Sequence, residues 1–241
     1  MDLIRENSHN NDVSIFYDTL EKKYHKIAST SAGKKLITSD ANGISYFNSL
    51  NKKYKINYKL EKQKKNYRLI IDQINGKKVN YNDPFDKNYL YCQKLINYYL
   101  LKWPNTKIQK CHGDLTLDNI IFDKKKISII DWEHHKKSKQ IFYGYDLIYF
   151  LLSGILLPGE NNFNIKSRLN FKRLYINLYK SKIKKEFLDD PIGNINKVIS
   201  NVLTEQIIAS PFKFITFSCK KNFLNEIKNF INKDIVNDRF K

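Results

Sequence analysis

The chain has few of the residues that interrupt or cross-link small folds. Its 241 residues include 8 glycines, 5 prolines and 3 cysteines, and Cys92, Cys111 and Cys219 form no CxxC or Cys/His pattern. This spacing excludes a disulfide-rich scaffold and a cysteine zinc site, and it indicates free thiols in a reducing cytoplasm. No hydrophobic signal region opens the sequence, and the apolar stretch 141–157 carries Asp146 and is short for a membrane helix. We therefore predict a cytoplasmic protein without a membrane span.

Acidic residues are few relative to basic ones. The chain has 43 Lys and Arg against 24 Asp and Glu, which gives a formal net charge of +19. Such a charge attracts anions and is typical of nucleic-acid-binding proteins. Here the lysines lie in short pairs along the whole chain, without one basic tail or one aromatic-basic module. We therefore expect a solvated basic surface and no specific nucleic-acid partner.

The stretch 111–133 combines oxygen-bearing side chains at a spacing that suits phosphoryl transfer. It reads CHGDLTLDNIIFDKKKISIIDWE, with Asp114, then Asn119 five residues later, then Asp131 twelve residues after that. In phosphoryl transfer an Asp orients the attacking hydroxyl, while an Asn and an Asp hold magnesium against the nucleotide phosphates. The order H-x-D-x4-N is that of a kinase catalytic loop, with Gly113 where protein kinases carry Arg.

The same stretch predicts a β-hairpin. Two β-prone runs, 120–122 and 127–130, flank a short polar turn. Pairing these runs back to back places Asn119 opposite Ile130 or Asp131. Two oxygen donors therefore reach one end of one hairpin, and magnesium prefers oxygen ligands of this kind.

On these motifs, the segment from Lys110 to about Pro158 resembles the aminoglycoside phosphotransferase and choline kinase family. Members carry HGDxxxxNI, IIDWE and a Gly-x-Asp-Leu that opens an apolar helix, and this chain has HGDLTLDNI, IIDWE and GYDL at 144–147. The resemblance implies an α+β, two-lobed protein-kinase-like fold, with a compact antiparallel-sheet N-lobe and a mainly helical C-lobe. It also implies that the protein moves the γ-phosphate of ATP, with Mg2+, to a hydroxyl of a small molecule.

The resemblance also implies a role for each motif residue. Asp114 would be the catalytic base, and Asn119 and Asp131 would be the magnesium ligands. His112 would brace the catalytic loop, and Asp146 would support that loop from the following helix.

The nucleotide-binding residues have weaker signals. Two strands are predicted at 13–17 and 24–28, and Lys26 in the second resembles the Lys that reaches the nucleotide phosphates in kinase-like lobes. A surface lysine is the alternative in so basic a chain. The preceding loop, 6–12, has no glycine, so Ser8 is either a donor to phosphate or part of an ordinary loop.

A helix is predicted to begin near Ser39 or Asp40. Kinase-like lobes place a Glu on this helix to orient the Lys, but this segment contains no Glu. Asp40 is a candidate substitute.

Two further strands, 54–60 and 67–74, lead to a hinge whose backbone, at Asp72 and Ile74, is expected to pair with the adenine edge. We place the N-lobe at 1–76, the connector at 77–84 and the C-lobe at 85–241. Helical periodicity predicts helices at 86–103, 165–188, 194–209 and 220–233.

The acceptor pocket is expected among the C-terminal helices. Aromatic or acidic candidates to meet a cationic amine are Trp132, Glu133, Tyr143, Tyr145, Glu160, Glu186, Asp189, Asp190 and Glu205. They leave the acceptor open between an amino alcohol such as choline or ethanolamine, a sugar and an aminoglycoside. Two other functions compete: a nucleotide-binding pseudokinase on the same fold, and a basic nucleic-acid binder. The sequence does not distinguish ATP from GTP as the phosphate donor, and it does not indicate the oligomeric state.

Overall fold

The structure, a computed structural model, describes residues 2–6, 12–80, 83–124, 126–139, 141, 143–156, 158, 162–180, 226, 229–230 and 233. The chain forms two compact units. The first comprises Met1–Lys78, Lys110–Gly113 and Asn119–Lys137, and the second comprises Val79–Gln109, Asp114–Asp118 and Ser138–Lys241.

An antiparallel sheet dominates the described part of the first unit. Its strands are β1 (Asp2–Glu6), β2 (Ser14–Asp18), β3 (Lys23–Ala28), β4 (Tyr58–Lys62) and β5 (Tyr67–Asp72). They lie in the order β1-β2-β3-β5-β4, so that β3 is central, with Lys26 opposite Ile15 on β2 and Leu69 on β5. The strands predicted at 13–17, 24–28 and 67–74 are confirmed.

The strand predicted at 54–60 starts later than expected. Asn48 explains the difference, because its side-chain amide donates to the Ile56 carbonyl at 2.9 Å and accepts from the Ile56 N–H at 2.8 Å. The backbone N–H and carbonyl of Ile56 are therefore both bonded to the Asn48 side chain, and strand pairing with β5 begins only at Tyr58.

Helix α1 (Ser31–Leu50) follows β3, and the predicted start near Ser39 or Asp40 is wrong. Thr30 is the N-cap, since its Oγ1 accepts from the Gly33 N–H at 3.0 Å. Gly33 weakens the helical pattern in the sequence, but a Cβ there would lie 2.8 Å from the Ala28 Cβ. The glycine thus marks close packing of the helix on β3 and not a break. The buried apolar side chains of α1 are Ile37, Ala41, Ile44, Tyr46 and Phe47.

The predicted hairpin is confirmed in the first unit. Strands β6 (Lys77–Lys78), β8 (Ile120–Asp123) and β9 (Lys126–Ile129) form a sheet in the order β6-β8-β9, after a short 3-10 turn at Leu117–Asn119. Ile120 pairs with Ile129, and the Ile130 N–H donates to the Asn119 carbonyl at 3.0 Å. Strands β7 (Gln109–Cys111) and β10 (Lys136–Ser138) form a two-stranded sheet.

The described part of the second unit is helical, with α2 (Phe85–Lys102), α3 (Tyr145–Leu156) and α4 (Ile165–Lys180). The α2 prediction is confirmed, and α4 begins where expected. Gly154 of α3 lies against the Phe85 ring, where an added Cβ would be 3.0 Å from two ring carbons, and Phe85 packs on Phe171 of α4. The predicted helices at 194–209 and 220–233 fall almost wholly outside the described residues.

The predicted α+β class is confirmed, with a sheet and helix in one unit and packed helices in the other. Among the described residues, no helix combines the length and the apolar character that crossing a bilayer requires.

Candidate active site

Lys26 is enclosed by three carboxylates of the first unit. Its Nζ lies 2.6 Å from Asp131 Oδ1, 2.7 Å from Asp40 Oδ2 and 2.9 Å from Glu133 Oε1. The Lys26 side chain is only 9% exposed. Acidic residues from α1 and from the segment after β9 therefore meet on one ammonium group at the centre of the sheet. We call these four residues the Lys26 cluster.

The backbone at Asp131 explains how that segment reaches Lys26. Asp131 has φ +63°, in the left-handed region that non-glycine residues rarely adopt and that Asp tolerates better than most. Such a conformation costs about 1–3 kcal/mol and is held only where the surroundings enforce it. The bend ends β9, and Asp131 and Glu133, two residues apart, both contact the same ammonium.

Asp40 uses both of its oxygens within the cluster. Oδ1 accepts from the Trp132 N–H at 3.0 Å, and Oδ2 lies at ion-pair distance from Lys26, although off the hydrogen-bond direction. One side chain of α1 therefore holds both Lys26 and the peptide that follows Asp131. The sequence offered Asp40 as a substitute for the missing Glu, and its pairing with Lys26 is confirmed.

Gly43 lies one helical turn after Asp40 and allows this contact. A Cβ at Gly43 would lie 2.7 Å from Cγ and 2.8 Å from Cδ2 of Trp132. Asp has one methylene fewer than Glu, so a helix that carries Asp must come closer to its target. Because Gly43 has no side chain, α1 can lie this close to Trp132.

Charge within the cluster shifts each pKa. Burial alone would lower the pKa of Lys26, but the carboxylates, Asp131 first, outweigh it and hold that pKa well above its usual range. Burial would raise the pKa of Asp131, yet Lys26 outweighs it and lowers the pKa to about 2. For Asp40 and Glu133, burial prevails over Lys26 and raises the pKa. Asp131 is thus the most firmly ionised carboxylate of the three.

The oxygen donors of the first unit fit a hard divalent cation. The nearest carboxylate oxygens of Asp40, Asp131 and Glu133 lie within 4.8 Å of one another. Asp40 is fully buried with both oxygens engaged, whereas the Asp131 side chain is 38% exposed and that of Glu133 is 15% exposed. Asn119 stands at the same hairpin end as Asp131, through the Ile130 N–H bond to its carbonyl. Asn119, Asp131 and Glu133 are therefore the residues that could hold Mg2+.

Glu133 was not predicted as a metal ligand, because its residue type made it one of the candidates for the acceptor pocket. The D-x-E spacing was the available signal. Trp132 was another of these candidates, and the structure shows it as a core residue. Trp132 has no exposed surface, its Nε1–H donates to the Ile129 carbonyl at 2.8 Å, and it packs among aromatic rings of α1.

His112 braces the end of the hairpin. It has no exposed surface, its Nε2 donates to the Ile130 carbonyl at 2.9 Å, and its ring lies 4.6 Å from that of Trp132. Burial lowers the pKa of His112 to about 4, so the ring is neutral at pH 7. Gly113 has φ +88°, and a Cβ there would lie 3.1 Å from the His134 Cβ, which explains a glycine in place of arginine.

In the second unit, Asp114 is held from helix α3. Asp114 is 8% exposed, and the hydroxyl of the fully buried Tyr149 donates to its Oδ1. Asp146, also fully buried, precedes Tyr149 by three residues and so shares its face of the helix. The sequence analysis missed Tyr149. Its signal was a hydroxyl within a helix of otherwise mostly apolar residues.

The remaining predicted residues give fewer contacts. Ser8 lies outside the described residues. At the hinge, the Asp72 N–H donates to the Asn57 carbonyl at 3.1 Å and is therefore not available to a base. Ile74 is half-buried, and no hydrogen bond of its backbone is found within the described part of the chain.

Two acceptor candidates are described in the second unit. Tyr145 is buried, and the half-buried Tyr143 hydroxyl donates to the Trp103 carbonyl at 3.5 Å. The acidic candidates Glu160, Glu186, Asp189, Asp190 and Glu205 lie outside the described residues.

Comparison with known sequences supports the motif analysis. The profile of the phosphotransferase enzyme family (APH) matches residues 61–154, a segment that contains all three motifs. The predicted family resemblance is confirmed. The match spans less than half of the chain, and Lys26 and Asp40 precede it. None of the curated protein sequences matches the chain.

Solved structures of phosphotransferases are similar at a distance. The GDP complex of an aminoglycoside 2'-phosphotransferase shares 12% identity over 85% of this chain and 92% of that one, with a TM-score of 0.45. The GDP and kanamycin complex of an APH(2") enzyme shares 10% identity over 86% and 93%, with a TM-score of 0.42. Choline kinase LicA from Streptococcus pneumoniae shares 11% identity over 85% and 94%, with a TM-score of 0.40.

Proposed function

We propose that the protein is an ATP-dependent phosphotransferase that moves the γ-phosphate to a hydroxyl of a small molecule, with Mg2+. The observation that carries this proposal is the contact between Lys26 and Asp131, which are 105 residues apart in sequence and bonded at 2.6 Å. A lysine on the third strand and an aspartate after the catalytic loop are the groups that kinases use for the phosphates and the metal. The family match over the three motifs supports the same reaction.

In this mechanism each residue has a distinct task. Lys26 binds phosphate oxygens, and Asp40 orients Lys26 from α1. Asn119, Asp131 and Glu133 would hold Mg2+, which would supply positive charge to offset the negative charge that develops during transfer. In the second unit, Asp114 accepts or orients the proton of the acceptor hydroxyl.

The same proposal includes the lobes, the nucleotide contacts and the acceptor class. The lobes are 1–76 and 85–241, joined by 77–84. Ser8 contacts a phosphate, and the hinge near Ile74 pairs with the adenine edge. The acceptor is an amino alcohol, a sugar or an aminoglycoside-like compound.

The test is an acceptor screen. Purified protein with ATP and Mg2+ is offered amino alcohols, sugars and aminoglycosides, and ADP release is measured, with GTP as a second donor. We expect release above the acceptor-free rate with one class, and losses of at least about 100-fold in Asp114→Asn and Asp131→Ala. Asp118→Asn, at an exposed position beside the motif, is the matched control and should keep the wild-type rate. Unchanged turnover in Asp131→Ala would refute the metal role.

One observation favours a nucleotide-binding pseudokinase as the second candidate. Lys26 already contacts three carboxylates, which compete with phosphate for its ammonium. Mg2+-dependent ATP binding, measured by calorimetry, without ADP release for any acceptor would select this alternative.

A further inference from the structure

We propose that Tyr149 is a positioning residue for Asp114 and orients its carboxylate for contact with the acceptor hydroxyl. This inference rests on the proposed function, because it assumes that Asp114 is the base. Nothing in the three sequence motifs requires a hydroxyl at position 149.

The contact is buried on both sides. Tyr149 has no exposed surface, Asp114 is 8% exposed, and the phenol donates to Oδ1 of the carboxylate. Both residues lie in the second unit. A hydrogen bond to a carboxylate in a region of low dielectric is stronger than the same bond in water, so it holds the side chain firmly.

Packing alone does not explain a tyrosine at this position. The neighbouring residues of α3 are apolar and buried, namely Leu147, Ile148, Phe150, Leu151 and Leu152. Phe150 shows that the helix buries an aromatic ring without a hydroxyl. A buried hydroxyl is unfavourable unless it is hydrogen-bonded, and the Asp114 carboxylate supplies an acceptor. The hydroxyl is therefore accounted for by the carboxylate.

The bond has a specific consequence for catalysis. The terminal torsion of an Asp side chain is broad, so a free carboxylate presents either oxygen in many directions. A donor on Oδ1 restricts that freedom and so orients the carboxylate that is to receive the acceptor proton. The phenol keeps its own proton throughout, because tyrosine is a far weaker acid than aspartic acid. Tyr149 thus acts through geometry and transfers nothing.

The first test is Tyr149→Phe, which keeps the ring and deletes the hydroxyl. We expect kcat to fall about 10- to 100-fold, the effect of a misplaced catalytic group, while the KM for ATP stays within about twofold. Tyr175→Phe is the matched control, since Tyr175 is a buried tyrosine of the same unit on α4, and it should keep the wild-type kcat. In an Asp114→Asn background, Tyr149→Phe should cause no further loss of kcat. A kcat in Tyr149→Phe equal to that of the wild type would overturn the proposal.

A second measurement does not depend on the folding of Tyr149→Phe. Asp114→Asn keeps an oxygen that can accept from Tyr149, whereas Asp114→Ala removes it. We expect a lower Tm for Asp114→Ala than for Asp114→Asn, and equal Tm values would contradict the contact. Failure of the two proposals is distinguishable. A wild-type protein that turns over no acceptor refutes the proposed function and this inference together, while an active Tyr149→Phe refutes only this inference.

Discussion

Asp131 in the first unit and Asp114 in the second are held in opposite ways. Asp131 is partly exposed, bends the backbone to φ +63° and bonds a lysine that also contacts two other carboxylates. Asp114 is buried and accepts from a neutral phenol. The contact of Asp131 is with a charged group, whereas the contact of Asp114 with Tyr149 is with a donor that carries no charge.

The difference matches the two tasks proposed for these residues. A ligand for a cation must stay ionised, and the Lys26 contact lowers the pKa of Asp131 to about 2. A carboxylate held so firmly by an ammonium is a poor proton acceptor. A neutral donor orients a carboxylate and perturbs its affinity for a proton less than a full charge does. In the proposed function, Asp131 would therefore hold the metal, and Asp114 would orient the acceptor hydroxyl.

The largest expected effect comes from removing the charge on Lys26. Lys26→Met leaves three carboxylates close together without their cation, and breaking a buried ion pair from one side costs about 3–5 kcal/mol. We therefore expect the free energy of unfolding at pH 7, measured with urea, to fall by about that amount. The loss should shrink at lower pH, because the raised pKa values of Asp40 and Glu133 let these groups protonate and relieve the repulsion.

Lys59→Met is the matched control for that experiment. Lys59 pairs with Glu61 at 2.7 Å, but its side chain is 72% exposed. An exposed pair contributes at most about 1 kcal/mol. Equal losses in the two variants would mean that the Lys26 cluster is no more than a surface ion pair.

The local sequence pattern was enough to predict the hairpin that carries Asn119 and Asp131. The β-prone runs around a polar turn predicted the hairpin, with Asn119 opposite Ile130 or Asp131. In the structure Ile130 is the residue that bonds Asn119. These features depend on neighbours in sequence. For the same reason the apolar run after Gly144 was sufficient to predict α3.

Contacts between segments that are distant in sequence could not be predicted. The pairing of Lys26 with Asp131 depends on how two strands and a helix pack, and many lysines of the chain compete for the role. The start of α1 was missed because Ser39 and Asp40 are residue types that can cap a helix, as Thr30 does in the structure. Trp132 remained a candidate for the acceptor pocket because an aromatic residue beside a motif has the same sequence signature whether it lines a pocket or fills a core.

A second prediction concerns the pH dependence of stability, to which His112 and Asp131 contribute in different pH ranges. His112 is buried and neutral with a pKa of about 4, whereas an unfolded histidine titrates near 6.5. As pH falls below about 6.5, the unfolded chain binds a proton that the folded chain does not. Stability is therefore lost between about pH 6.5 and 4, by about 1.4 kcal/mol per pH unit for this one group.

Urea unfolding across this range checks the prediction. His112→Gln, which keeps a donor for the Ile130 carbonyl, should show a slope of stability against pH that is smaller by about one proton. Asp131 acts in another window, because its lowered pKa adds stability that is present above about pH 4 and is lost towards pH 2. Identical slopes for His112→Gln and the wild type between pH 6.5 and 4 would show that His112 is protonated in the folded chain.

The smallest expected effect tests whether the short reach of Asp40 requires a glycine opposite Trp132. Gly43→Ala adds a Cβ that would lie 2.7 Å from Trp132 Cγ, and overpacking of this kind costs about 1–3 kcal/mol. The higher helix propensity of alanine offsets about 1 kcal/mol of this cost, so a net loss of up to about 2 kcal/mol in unfolding free energy is expected. The neighbouring exposed position supplies the control, since Asn42→Ala gains helix propensity without a clash.

A shift of α1 away from Trp132 also weakens the contact of Asp40 with Lys26, so the KM for ATP should rise in Gly43→Ala and not in Asn42→Ala. If both variants are equally stable and bind ATP with the same affinity, a Cβ at position 43 fits beside Trp132. A Glu at position 40 could then pair with Lys26 as the Asp does.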